Sequence, residues 1–85
     1  MIARIEGKII HTTDKYLVID VSGVGYKVFT LPDTLLSCGL GDKVTFWTYM
    51  AVRETSMDLY GFKSIAEMNF FELLLNVSEI GRAHV

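Results

Sequence analysis

Tyr16-Leu17-Val18-Ile19-Asp20-Val21-Ser22-Gly23-Val24-Gly25-Tyr26-Lys27-Val28-Phe29 is the stretch whose reading decides the fold. Leu17, Ile19 and Val21 alternate with Tyr16, Val18 and Asp20, the period of a strand whose two faces meet different surroundings. Ser22-Gly23 turns the chain, and Val24, Tyr26 and Val28 then fall on one side of the next strand, where the glycines favour a tight turn or a sharp bend. Upstream, Ala3, Ile5, Gly7 and Ile9 share one face of a strand over residues 2–10, with Arg4, Glu6 and Lys8 on the other. Thr12-Thr13-Asp14-Lys15 is a polar turn between that strand and the next. The first 29 residues therefore read as a three-stranded antiparallel meander.

Pro32 breaks the alternation at Leu31–Leu36, being tolerated in a first helical turn and poorly in a central strand, so a short connecting turn or single helical turn is expected there. The longest strand follows, residues 43–52. Val44, Phe46, Thr48, Met50 and Val52 oppose Thr45, Trp47, Tyr49 and Ala51, and large apolar groups on both faces imply that both are covered. Arg53-Glu54-Thr55-Ser56 reads as a hairpin tip, returning through Met57–Phe62 as a fifth strand. After Phe62 the period becomes helical. Ser64 with Glu67 three residues on is a capping-box pattern, and Ile65, Met68, Phe71 and Leu75 with Phe70, Leu74 and Val77 form an apolar stripe expected to pack, ending near Asn76-Val77-Ser78. Five short strands with an interruption after the third match a mainly β fold, the five-stranded OB-fold barrel (a Greek key), followed by one C-terminal α-helix. An SH3-like barrel has almost the same pattern.

Composition sets limits on function. The chain has 85 residues, room for one small domain whose core buries a modest share of its surface. Eight Lys and Arg against ten Asp and Glu give a formal charge of −2, with the signs interleaved, so strong non-specific phosphate binding is not expected. Cys38 has no internal disulfide partner, and with His11 and His84 it makes no zinc ligand set. No cofactor or metal is expected. Charges at the N-terminus and the absence of a long apolar run point away from a signal peptide or membrane span, and a cytoplasmic location is expected. No phosphate loop and no Ser, His and acid set recurs at catalytic spacing, so the chain is not expected to be an enzyme.

Three segments, in order and at the right separations, resemble one family. Residues 1–9 resemble its N-terminal strand, Val21–Val28 its Gly-Val-Gly-Tyr hairpin, and Val52-Arg53-Glu54 with Leu59-Tyr60-Gly61-Phe62 its pin hairpin. A helix with Phe70-Phe71-Glu72-Leu73-Leu74 follows. The chain resembles the RuvA family over residues 1 to about 78. The resemblance implies an OB-fold domain at residues 1–62 and, at 63–78, the first helix of a truncated helix-hairpin-helix domain. It further implies a non-catalytic scaffold that forms a homotetramer and holds a four-way DNA junction open. The RuvB ATPase then pumps duplex arms through, and the RuvC nuclease is a further partner. An acidic pin in the family guides strands apart at the crossover. Its residues map onto Glu54 and, less directly, Asp58, with Arg53 beside them and Ile80 and Gly81 at the DNA-binding hairpin of the second domain.

Two departures stand out. The family places two consecutive carboxylates after the arginine, whereas this chain has Glu54-Thr55, so its tip should guide phosphates less strongly. The family hairpin reads Gly-Ile/Val-Gly-Pro-Lys, whereas this chain has Glu79-Ile80-Gly81-Arg82, without the first glycine, the proline and the lysine. The residues Glu-Ile-Gly-Arg-Ala-His-Val are also what a common sequencing-adapter read, GAG ATC GGA AGA GCA CAC GTC, encodes. Residues 79–85 are accordingly suspected to be a non-native tail; independent genomic reads continuing as Glu-Ile-Gly-Arg would sink that idea. An alternative function is an OB-fold module that binds single-stranded nucleic acid in its barrel groove. Trp47 and Tyr49 could then stack bases, although without lysines or arginines clustered around them packing is the expectation. His11 reads as a strand-end polar residue, and Cys38 has no base to activate it.

Overall fold

The computed structural model describes the backbone of residues 1–83 and the side chains of residues 1–75. Five strands, β1 (Arg4–Thr12), β2 (Tyr16–Val21), β3 (Val24–Phe29), β4 (Lys43–Val52) and β5 (Met57–Phe62), close into a barrel in the order β1-β2-β3-β5-β4. Helix α1 (Pro32–Ser37) connects β3 to β4, and α2 (Ile65–Ala83) follows β5. All neighbours are antiparallel except β3 and β5, which pair in parallel through Val28↔Leu59 and Phe29↔Tyr60. This is the five-stranded Greek-key barrel expected from the alternation, with the interruption after the third strand occupied by α1, Pro32 opening it.

The β2–β3 turn accounts for the first hairpin. Ser22 and Gly23 both have positive φ, 52° and 91°, as a two-residue type I′ turn requires, and its twist matches that of the flanking strands. Val21 then pairs with Val24, and the register follows back to Tyr16↔Phe29. β1 begins at Arg4, where its pairing with β4 starts, and ends at Thr12, both two residues later than the alternation suggests; a bulge between Ile9 and His11 inserts an extra residue into its pairing with β2. The seam closes where β1 meets β4, Arg4↔Trp47 through Lys8↔Lys43.

Inward-facing residues from every strand make the core: Ile5, Ile9, Leu17, Ile19, Val28, Phe46 and Leu59. Thr48 is the polar member of the inner face of β4, and its hydroxyl donates to the Ile2 carbonyl at 2.6 Å, which removes the cost of burying it. Gly61 is there because nothing larger fits. A Cβ at that position would stand 2.6 Å from Val28 Cγ1 and 3.2 Å from Phe46 Cβ and Cγ. Gly61→Ala should therefore overpack the barrel and destabilise it by about 1–3 kcal/mol. Urea unfolding with an unchanged m-value is the check, and a midpoint equal to wild type would refute the overpacking.

The N-terminus of α2 is capped as expected in one direction only. The Glu67 N–H donates to Ser64 Oγ at 3.1 Å, while the return bond is not made and Glu67 Oε1 is buried without a partner. Contrary to the expected uniform stripe, the aromatic pair on α2 splits. Phe71 packs on Tyr49, Tyr60 and Phe62 with ring centroids 5.9, 5.3 and 5.0 Å away, while Phe70, Leu73 and Leu74 remain more than half exposed. Neighbouring helical residues diverge by about 100°, so a helix lying on one wall of a barrel buries only a narrow line. The helix also runs on to Ala83 rather than ending near Ser78, since no proline or paired glycine interrupts residues 76–83.

Candidate functional site

β4 and β5 outrun the barrel wall. β1 pairs with β4 only as far as Trp47, and β3 with β5 only at Leu59 and Tyr60, whereas β4 and β5 stay paired to Val52↔Met57. The last rungs thus form a two-stranded ribbon with a tip of four residues, Arg53-Glu54-Thr55-Ser56, closed by the Arg53 N–H donating to the Ser56 carbonyl at 2.8 Å. Arg53, Glu54 and Thr55 are exposed. Among the described residues the one ion pair is Arg4–Glu6, 3.6 Å apart, so the Glu54 carboxylate and the Arg53 guanidinium face solvent without a charged partner. A carboxylate held at the end of a ribbon is placed to repel phosphate over roughly a Debye length, about 10 Å at 0.1 M salt.

Asp58 does not share the tip. It lies on β5 opposite Ala51, one rung below the Val52↔Met57 pair, and is half-buried. Ile80 and Gly81 fall in the last turns of α2, where the backbone alone is described. His84, with Val85, lies outside the described residues. Val52 and Met57, both about two-thirds exposed, put an apolar pair at the base of the ribbon.

The aromatic residues divide by role. Tyr49 is under Phe71, and Trp47 has the Arg4 guanidinium 5.8 Å from its ring, so the rings weighed as stacking candidates are engaged within the fold. A second set went unread in the sequence. Tyr16 pairs with Phe29, Phe29 with Tyr60, and Tyr60 with Tyr49, placing four aromatic residues in one row across β2, β3, β5 and β4. His11 adjoins the row, its ring 6.4 Å from that of Tyr16. The signal for half of it was available: counting back from the Ser22-Gly23 turn sets Tyr16 opposite Phe29. The parallel β3–β5 pairing that extends it leaves no mark in local periodicity.

Cys38 is a free thiol, half-buried, with Ser37 Oγ 3.9 Å away. Among the described residues there is no group of three or more His, Cys, Asp or Glu side chains able to hold a metal ion, and no helix is long and apolar enough to cross a membrane.

Comparison with known proteins places these features in a family. The model of the RuvA N terminal domain matches residues 1–61, the whole barrel up to Gly61. Curated relatives carry the name Holliday junction branch migration complex subunit RuvA. That of Acetivibrio thermocellus is 40% identical over 82 residues, that of Rickettsia bellii 42% over 81, and that of Geobacter metallireducens 39% over 88. Each alignment takes in 95% of this chain and 40–41% of the relative, so the chain spans about two fifths of the length of the proteins it matches. A barrel matched from its first residue to the Tyr60-Gly61 rung, with its ribbon and tip included, makes the chain a member of the RuvA N-terminal domain family.

Proposed function

We propose that this chain supplies the barrel of a scaffold for four-way DNA junctions. The ribbon tip stands at the crossover, and Glu54 keeps phosphates apart while the arms are moved. The observation that carries this reading is the free, exposed carboxylate at the end of a ribbon that outruns a family-matched barrel. Asp58, a rung lower, adds negative charge to the flank of the ribbon, and Arg53 offers a cation beside the tip. The scaffold role is non-catalytic. ATP hydrolysis falls to a RuvB-type partner and strand cutting to RuvC, both engaging the longer protein. The helix-hairpin-helix contacts belong to a second domain of which α2 is the opening helix, with Ile80 and Gly81 at the position of its first hairpin.

A four-fold junction calls for a four-fold protein, so the chain assembles as a homotetramer. Two apolar areas support this: Val52 and Met57 at the ribbon base, and Phe70, Leu73 and Leu74 along α2. Multi-angle light scattering at tens of micromolar is expected to give four times the chain mass. A strict monomer would count against self-association through the barrel, and a dimer would assign ring closure to residues beyond those matched here. The junction reading itself is tested by replacing Glu54 with Gln in a longer protein carrying the second domain. The substitution should leave junction affinity nearly intact and slow arm movement driven by the ATPase partner; an unchanged rate would remove Glu54 from the mechanism.

A further inference from the structure

Thr48 is out of place in its row. The inner face of β4 reads Val44, Phe46, Thr48, Met50 and Val52, where a valine at position 48 would fill the same volume without a polar atom. The buried Thr48 hydroxyl donates to the Ile2 carbonyl at 2.6 Å, and the Thr48 N–H donates to the Ala3 carbonyl at 2.9 Å. One residue of β4 thus holds two consecutive peptide groups of the segment before β1. It does so at a particular rung: Trp47, the preceding residue, is the last of β4 to pair with β1, and beyond it the ribbon begins. On the inner side of the ribbon, Ile2 and Met50 both pack against the core. A cleft of about 310 Å³ separates Gly25–Lys27 of β3 from Met50, Met57 and Leu59, and Ile2 is on its wall. Since β3 reaches β5 only at Leu59 and Tyr60, the inner face of the ribbon has Ile2 beside it rather than a further rung of β3.

We propose that Ile2 and Thr48 are positioning residues for the ribbon: the segment before β1, clamped by Thr48 and wedged against the inner face by Ile2, sets the direction in which the tip points. The inference deepens the junction reading and rests on it for its functional consequence. A two-stranded ribbon by itself is marginally stable and strongly twisted, so its direction has to be fixed at the root. Leverage makes that root decisive. From Thr48 to Glu54 is six residues, about 20 Å of extended strand, so a swing of about 10° at Thr48 carries the Glu54 carboxylate about 3.5 Å. Its repulsion of a phosphate about 4 Å away then falls by about half. Core filling does not account for the hydroxyl, because a buried hydroxyl is costly unless bonded, and the bond it makes is to the segment flanking the ribbon rather than to a strand of the barrel.

Backbone nitrogen-15 relaxation on the full 85-residue chain reads the ribbon directly. Thr48→Val keeps the volume and removes the clamp, and Thr48→Ser keeps the hydroxyl and removes a methyl. Ile2→Ala removes the wedge at a half-buried position and carries the test should Thr48→Val not fold. Order parameters of about 0.85 are expected at Val52 and Met57 in wild type and Thr48→Ser, falling toward about 0.6 in Thr48→Val and Ile2→Ala, while Leu17 and Ile19 stay at about 0.85 throughout. A role in core packing alone would rank the variants differently, with Thr48→Ser looser than Thr48→Val. In a longer protein carrying the second domain, Thr48→Val should slow partner-driven arm movement as much as Glu54→Gln does, to within about twofold, with junction affinity unchanged. The double variant should be no slower than Glu54→Gln, because both substitutions act through one carboxylate. The proposal is overturned if the ribbon stays as ordered as wild type in Thr48→Val and Ile2→Ala, if Thr48→Ser loosens it as much as Thr48→Val, or if Thr48→Val moves arms at the wild-type rate where Glu54→Gln does not. Should Glu54→Gln itself have no effect, the junction reading falls and the order parameters alone decide whether Ile2 and Thr48 fix the ribbon.

Discussion

Replacing Phe46 with alanine is expected to remove a large share of the stability of this domain. The ring is 1% exposed and faces inward on β4, paired with Ile5 across the seam that closes the barrel, and its Cβ and Cγ form the wall that Gly61 is built to approach. Truncating a buried phenylalanine costs about 3–5 kcal/mol, part lost transfer energy and part cavity. A chain of this size has roughly 4–13 kcal/mol to lose, at 0.05–0.15 kcal/mol per residue. Relaxation into the cavity is limited here, because a closed barrel has no free edge that can move inward. Urea unfolding should show the midpoint falling steeply, and thermal unfolding a drop of at least about 12 °C, since each kcal/mol is worth about 4–8 °C in a domain this small. Thr45→Ala, one residue away on the solvent side, should change stability by no more than about 0.5 kcal/mol. A loss under about 1 kcal/mol for Phe46→Ala would mean that β4 is not the strand on which the core is organised.

How far the sequence announces this architecture depends on whether the determining interaction is local. The β2–β3 hairpin is legible residue by residue, because an alternation of period two and a Ser-Gly turn both act within a few positions. Pro32 marks α1 for the same reason, and Ser64 the start of α2. The bulge between Ile9 and His11 is not legible: it arises from how β1 must bend to reach both β2 and β4, and β4 begins only at Lys43. The parallel β3–β5 rung is hidden likewise. It closes the barrel and decides that Phe29 and Tyr60 are neighbours, yet more than two dozen residues separate them and each strand alternates normally on its own.

The site shows the same division. That Arg53–Ser56 is an exposed tip follows from four polar residues between two strands, and the structure bears it out. That the tip stands clear of the barrel depends on where β1 and β3 stop pairing, which only the closed sheet reveals. The apolar double face of β4 illustrates a correct inference with an unforeseen cause. Both faces are covered, the inner by the core and the outer by Phe71 and Arg4, but the sequence could not say that α2 would spend Phe71 there and leave Phe70 outside.

The largest expected effect concerns junction DNA: joining residues 1–78 to a complete second domain should raise affinity for a four-way junction on the order of a thousandfold at low salt. A protein that neutralises 6–10 phosphates loses about 10³–10⁵ in affinity between 50 and 200 mM salt, which measures how much of its binding is released counterions. The resemblance assigns those contacts to two helix-hairpin-helix motifs, and this chain has Glu79 where the first of them has a glycine, and neither its proline nor its lysine. Under the proposed scaffold reading, its own contribution at the crossover is Glu54, a carboxylate that repels phosphate. Two elementary charges 4 Å apart in water interact by about 1 kcal/mol, so on that reading one carboxylate per subunit would shape the path of the strands without deciding affinity. Gel-shift titrations of the short and extended chains against the same junction, repeated across a salt series, give both the affinity ratio and the slopes. The extended protein should show a slope several-fold steeper. Equal affinities and equal slopes would mean that the barrel itself holds the junction.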